Sequence, residues 1–305
     1  MKHYFYARTL AAGLLLLTFV NCSEESTGNG DGTSGNPIVP GEQVLRSFED
    51  RYPEATQVVW DIEEGYYVAD FAINSQMASA WFGTNGEWRQ GKIPASYHGE
   101  IEPVVSEAFA HTAYAKWEIK EAYTLNRREL MSVYAISVTN KEILSNLYFT
   151  RYGDLIKVID DVHYRIDVPI TIPSALLSVV NKLFASVEIV DMTIIDVINS
   201  EISVGLVEEE IYLTAIFDKN YAWIVSFWNL TQQTLPPVVW NGFQASAYSG
   251  HTLSRIRKMQ TATASTYLFY LIKDNKTMIA EFNSLGQLTS IVSRNHIMAK
   301  YLFLR

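Results

Sequence analysis

Four times along the chain, a stretch with apolar residues at helical spacing is followed by runs that alternate apolar and polar positions. The clearest helical stripe is Ile101, Val104, Val105, Ala108 and Phe109, an i, i+3, i+4, i+7, i+8 series. The other three are Val44, Leu45 and Phe48; Leu176, Leu177, Val180 and Phe184; and Trp240, Phe243 and Ala247. Each follows an apolar-proline pair: Val39-Pro40, Ile93-Pro94, Ile172-Pro173 and Leu235-Pro236. Proline suits a first helical turn, where its missing N–H has no intrahelical partner. Pro103 predicts a delayed or kinked second helix.

After each stripe come two or three β-branched and aromatic runs, closing on a recurring phrase. An apolar strand ends in Phe, and after three residues comes Gly, then one residue, then a large apolar side chain. The phrase appears as Phe82-Gly86-Trp88, Phe149-Gly153-Leu155 and Phe282-Gly286-Leu288. It predicts a hairpin whose glycine takes a positive φ. In the third unit Phe227 is followed by Trp228, Asn229, Leu230 and Thr231 without a glycine, which predicts a longer or irregular turn.

The units run over 41–92, 93–160, 172–234 and 235–295. One helix and one small meander cannot bury a core alone, so the expected fold is α+β, with tandem helix-on-antiparallel-sheet modules. Four repeat units pair into two domains, 41–160 and 172–305, joined by a linker at 161–171.

Strand alternation places Tyr67, Ala69, Phe71 and Ile73 on one face, the core face, and Tyr66, Val68, Asp70 and Ala72 on the other. Trp81 falls on the same side as Tyr66. One helix shields one face, so Tyr66 and Trp81 are expected on an open face as a contact surface, with Trp88 and Trp117 as further candidates. The opposing expectation buries these rings where repeats or domains pack together. Strands over 221–228 and 266–272 are apolar on both faces, which predicts internal packing in the second half.

The N-terminus follows a different pattern. Lys2 and Arg8 precede a short apolar run, Leu10 to Val20, well under the roughly 20 residues of a membrane span. Cys22, the single cysteine, follows directly. This resembles a bacterial lipoprotein leader: residues 1–21 are removed and Cys22 is acylated. Phe19, Val20 and Asn21 depart from the usual leucine and small residue before the cysteine. Residues 22–40 are rich in Ser, Gly, Asn and acid and form a flexible tether. Glu24-Glu25 resembles a tag for export to the outer face. The expected location is the outer membrane, lipid-anchored, on its periplasmic or surface side.

At 305 residues and 48% hydrophobic, the chain has apolar mass for one large or two ordinary cores, unaided by disulfides. The net charge is −9, and more negative once Lys2 and Arg8 leave, which argues against nucleic acid or an anionic membrane surface as ligand. His98, His111, His163, His251 and His296 lack metal-ligand spacing. No GxSxG elbow, SxxK pair or GxxxxGK[ST] loop occurs. The acidic runs Glu63-Glu64, Asp160-Asp161 and Glu208-Glu209-Glu210 fall between strands, as solvated turns do. No cofactor or metal is expected.

The run Phe48-Glu-Asp-Arg-Tyr52-Pro53, leading to Val58-Val59-Trp60, together with Tyr67-Val68 and the hairpin at 82–88, resembles the β-lactamase-inhibitor-like, PepSY-like lipoproteins of Gram-negative anaerobes. The resemblance covers 41–160 and is weaker over 172–295, where the third glycine and the Tyr-Pro pair are missing. It implies a helix-on-sheet fold in tandem and an interaction role. In the inhibitor that names the group, an open sheet face grips another protein. The expected function is therefore non-enzymatic, holding an envelope protein or peptide. A carbohydrate-binding role and a hydrolase using paired acids stand as alternatives.

Overall fold

The computed structural model describes residues 38–95, 101–160, 168–196, 200–274 and 276–292. The leader, Cys22, the tether up to residue 37, Asp161 and most of the expected linker lie outside the described residues.

The repeat is real, and it is larger by a strand than the pattern suggested. Each unit is one helix followed by four strands. The first has α1 (Glu42–Arg51), β1 (Thr56–Glu63), β2 (Tyr66–Ile73), β3 (Gln76–Phe82) and β4 (Trp88–Pro94). The second has α2 (Pro103–Ala110), β5 (Glu118–Arg127), β6 (Leu130–Thr139), β7 (Leu144–Phe149) and β8 (Leu155–Ile159). The third has α3 (Ser174–Leu183), β9 (Glu188–Asp196), β10 (Glu201–Glu208), β11 (Ile211–Phe217) and β12 (Trp223–Leu230). The fourth has α4 (Pro237–Gln244), β13 (Thr252–Gln260), β14 (Ser265–Lys273), β15 (Lys276–Phe282) and β16 (Leu288–Val292). The closing strand β4, with the sequence WRQGKIP, is too polar to stand out as a strand in the sequence.

Every neighbouring pair is antiparallel. The strands follow one another as two eight-stranded meanders, β1 to β8 and β9 to β16. Within each sheet the two repeats are zipped together through β4 with β5 and β12 with β13.

The helices have 8 to 10 residues and no side-chain N-caps. Helices so short do not persist in water alone, so their stability comes from the sheet beneath. All four lie on the same face of their sheets. Val44 and Phe48 pack on Ala69, Phe71, Ala80 and Phe82. Val105 and Phe109 pack on Ile136, Leu147 and Phe149. Leu176 and Val180 meet Val204, Leu213 and Phe217, while Val239 and Phe243 meet Phe269, Ala280 and Phe282. Phe243 stacks on Phe269 with centroids 4.4 Å apart. The expected core face of β2 is the observed one.

Two expectations about punctuation change. Ile93-Pro94 ends β4 rather than opening a helix, and Pro103 is the proline at the start of α2, where it neither delays nor kinks it. The hairpin of the third repeat is regular and lies ten residues earlier than expected. Phe217, Tyr221 and Trp223 keep the spacing of the other three, and Tyr221 takes a φ of 63° where they carry glycine. The turn closes identically: Tyr221 N–H donates to the Asp218 carbonyl at 3.0 Å, as Gly286 N–H does to Asn283 at 3.0 Å. Glycine is demanded in the others by the helix. A Cβ at Gly286 would lie 2.2 Å from the Val238 carbonyl oxygen, and one at Gly86 would lie 2.7 Å from that of Gln43. In the third repeat the Tyr221 ring packs into the α3 core instead.

Candidate binding face and inter-sheet cleft

The faces opposite the helices decide what this protein can touch. In the first sheet that face presents Tyr66, Val68, Asp70 and Ala72 of β2, and Met77, Ser79 and Trp81 of β3. It continues through Gln90 and Lys92 of β4 to Leu125 and Arg127 of β5.

Its apolar residues are most exposed at one end. Val59 and Met77 are each 61% exposed, beside Asp61 and a half-buried Asp70 that accepts from Ser79 Oγ at 2.6 Å. One row further along, Val68, Trp81 and Gln90 are at most 3% exposed. Tyr66 is half-buried, across from Glu63.

The expectation that Trp81 lies exposed is therefore corrected. Tyr66 and Trp81 do share the helix-free side, but no open aromatic patch forms there. Trp88 and Trp117 are half-buried on the helix side. Trp88 Nε1 donates to Tyr52 Oη at 3.0 Å beneath the Arg51 guanidinium, 3.5 Å from the ring centroid. Burial raises the Tyr52 pKa. Gly91 leaves room for this tyrosine, since a Cβ there would sit 2.5 Å from its hydroxyl. Trp117 meets Tyr114 edge-on at 4.8 Å. All seven tryptophans are buried or half-buried.

Six of the seven pack into the helix-side clusters, and on the helix-free side the two sheets cover each other. Tyr123, Leu125, Met131, Val133, Ala135 and Tyr148 of the first pack with Val190, Val207 and Tyr212 of the second. A surface this apolar excludes water when another of its kind is available. On this side the opposing expectation from the sequence, in which faces of the halves pack on each other, is the one that holds.

Around the apolar contact runs a polar seam. Arg151 Nη2 donates to Glu188 Oε2 at 2.8 Å, and Lys157 Nζ lies 3.7 Å from Asp191 Oδ2. Asp154, in the turn between β7 and β8, is hydrogen-bonded by Asn229 of β12, whose Oδ1 accepts from Arg257 Nε at 3.1 Å. Burial raises the Asp154 pKa despite those bonds.

Where the seam widens there is a cavity of about 890 Å³. Leu125, Val133 and Met192 form its apolar wall, and Gln90, Arg127, Lys157 and Asp191 its polar one. Burial lowers the Arg127 pKa to about 10, with Asp191 opposing the shift, so the guanidinium stays charged at neutral pH. Glu63 and Glu64 also line it. None of these cavity residues except Glu63 and Glu64 stood out in the sequence. The one available signal was an arginine inside a strand, alternating in phase with Tyr123 and Leu125.

Two of the acidic runs reach hairpin turns as expected, from strand ends at Glu63 and Glu208, while Asp161 of the third lies outside the described residues. Glu64 and Gly65, and Glu209 and Glu210, take positive φ values in two-residue hairpin loops. Asp160 accepts from Tyr114 Oη and Ser145 Oγ. Among the described residues no cluster of His, Cys, Asp or Glu could hold a metal ion.

The family model described as beta-lactamase-inhibitor-like, PepSY-like matches residues 65–157 and 200–289, together more than half of the chain. The chain belongs to this family. The two matched stretches fall one on each eight-stranded sheet, the first running from β2 through α2 into β8 and the second from β10 through α4 into β16. Among solved structures, a protein of Bacteroides eggerthii DSM 20697 is 23% identical, with a TM-score of 0.39 over 40% of this chain and 90% of its own. One from Bacteroides ovatus ATCC 8483 is 28% identical, with a TM-score of 0.38 over 40% and 89%. A BLIP-like protein from Bacteroides fragilis NCTC 9343 is 25% identical, with a TM-score of 0.38 over 43% and 92%. Among curated proteins, none matches the chain.

Proposed function

We propose that this PepSY-like protein is an exported, non-enzymatic binding protein of the cell envelope that holds a protein or peptide partner on the helix-free side of its first sheet. One observation carries the reading. All four helices lie on one face of their sheets, and the opposite face of the first repeat stays open at Val59 and Met77 while Val68, Trp81 and Gln90 beside them are buried. Exposed apolar side chains flanked by Asp61 and Asp70 offer the mixed surface that protein contacts use. Tyr66 and Trp81 lie further along that same face, and Trp88 and Trp117 brace the helices behind it.

Anchoring belongs to the same proposal. The leader pattern ending at Cys22 supports a lipid tether to the outer membrane, with the binding module projecting to the periplasmic or the surface side. The halves 41–160 and 172–305 act as two inhibitor-like domains pressed together. The glycan reading needs flat exposed rings, which the seven tryptophans do not supply.

The test is crosslinking capture from envelope extract by the full-length protein. Val59→Asp combined with Met77→Asp leaves the melting temperature unchanged and lowers recovery of the captured partner by about tenfold or more, the equivalent of about 1.4 kcal/mol. Equal recovery by the double variant overturns the assignment of this face. Labelled palmitate enters the wild-type chain and not Cys22→Ala if the anchor is right.

A further inference from the structure

Packing of the two sheets does not account for the polar wall of the cavity. Arg127 sends Nη2 to the Met131 carbonyl, but its buried Nε–H has no partner among the described residues. Trp81 Nε1–H is likewise buried without one. The two sit in a single cross-strand row, since Trp81 pairs with Gln90 and Gln90 with Arg127. Buried N–H groups are almost always matched, and of the two it is Arg127 that lines the cavity, so its unmatched donor asks for an acceptor there.

The space beside Arg127 is suited to a guest. Its volume of about 890 Å³ falls in the range of roughly 300–1,000 Å³ typical of small-ligand sites. Leu125, Val133 and Met192 would face an apolar body, and the guanidinium a carboxylate, its natural fork-shaped partner. Asp191 lies on the same lining and would accept from peptide N–H groups. A plain fatty acid has no N–H to offer that carboxylate.

We propose that the inter-sheet cavity takes the carboxy-terminal end of a short apolar peptide, its carboxylate held by Arg127. This rests on the peptide-binding reading above and names the chemistry it would select.

Isothermal titration of the full-length protein with acetyl-Leu-Val-Phe bearing a free carboxylate, with its C-terminal amide, and with decanoate tests it. The acid binds at least about tenfold more tightly than the amide, because only the acid brings the charge that Arg127 matches. Arg127→Gln abolishes that preference, and Val133→Phe, which fills the space, removes binding altogether. The comparison of acid with amide uses the unaltered chain, so a variant that fails to fold leaves the test intact. Equal affinity for acid and amide, silence from both, or decanoate binding as tightly as the acid overturns the proposal. A silent cavity beside intact partner capture through Val59 and Met77 overturns this inference alone.

Discussion

The helix-free face of the first repeat and that of the second sheet share one architecture and have opposite fates. Ile216, Val225, Phe227, Leu268, Tyr270 and Ile279 form a cluster at most 5% exposed, whereas in the first repeat Val59 and Met77 stand 61% in solvent. Topology does not separate them, since both are meanders with helices behind. Side-chain chemistry does. The face of β14 carries Leu268 and Tyr270, while that of β2 and β3 carries Asp70 and Ser79 among its apolar positions. The second sheet's face is not free of charge, since Arg255 and Arg257 stand opposite Tyr270 and Leu268. It gathers large apolar side chains from β11, β12, β14 and β15 around them, and that much apolar surface has to be covered, whereas the smaller apolar area around Asp70 and Ser79 can remain partly open.

That contrast can be broken most forcefully in the core. Phe227→Ala should destabilise by about 3–5 kcal/mol, the usual loss for truncating a fully buried aromatic. Met77→Ala should cost less than about 0.5 kcal/mol, as exposed positions do. Urea unfolding of the two variants checks this, and similar midpoints would erase the distinction between a closed and an open face.

The hairpins sharpen the comparison at the next scale. Gly286→Ala forces a Cβ against the Val238 carbonyl at a φ of 73° and should lose about 2 kcal/mol or more. Tyr221→Gly relieves a left-handed residue but sheds a half-buried ring, so thermal melting should place it within about 1 kcal/mol of wild type. A Gly286→Ala variant as stable as the parent would mean that the close approach of turn and helix does not hold.

The smallest effect is electrostatic and sits in the seam. Burial raises the Asp154 pKa, so the folded chain holds that proton more readily than the unfolded one. Stability from this group therefore falls as the pH rises from the unfolded value through the folded one, and the penalty is complete above both. Asp154→Asn should leave stability at neutral pH unchanged or raise it by up to about 1 kcal/mol. The gap should close as the pH drops below the unfolded carboxyl value. Melting curves across pH check it, and a loss of equal size at every pH would contradict it.

Much of the repeat was legible from local pattern alone. The stripe from Val104 to Phe109 and the alternation of Tyr67 to Ile73 report which side of an element is buried, because periodicity directly encodes facing. Gly86, Gly153 and Gly286 announced their turns for the same local reason. The third hairpin was misplaced because a tyrosine took the left-handed position, a choice tolerated only where helix and turn stand far enough apart to admit a ring. Strand β4 was missed because its pairing with β3 and β5, not its own apolarity, makes it a strand. Arg127 and Asp191, separated by more than sixty residues in the chain, carried no shared signal.

Sequence by itself determined the number of repeats, their α+β character, and the side of each sheet that its helix covers, because these follow from spacing within a few turns of chain. Only the tertiary structure decided that the remaining faces meet, that Trp81 is buried rather than displayed, and that a charged cavity forms between the halves. Those outcomes depend on which surfaces find each other across long chain separations, and solvent exclusion acts on assembled faces rather than on the local order of residues.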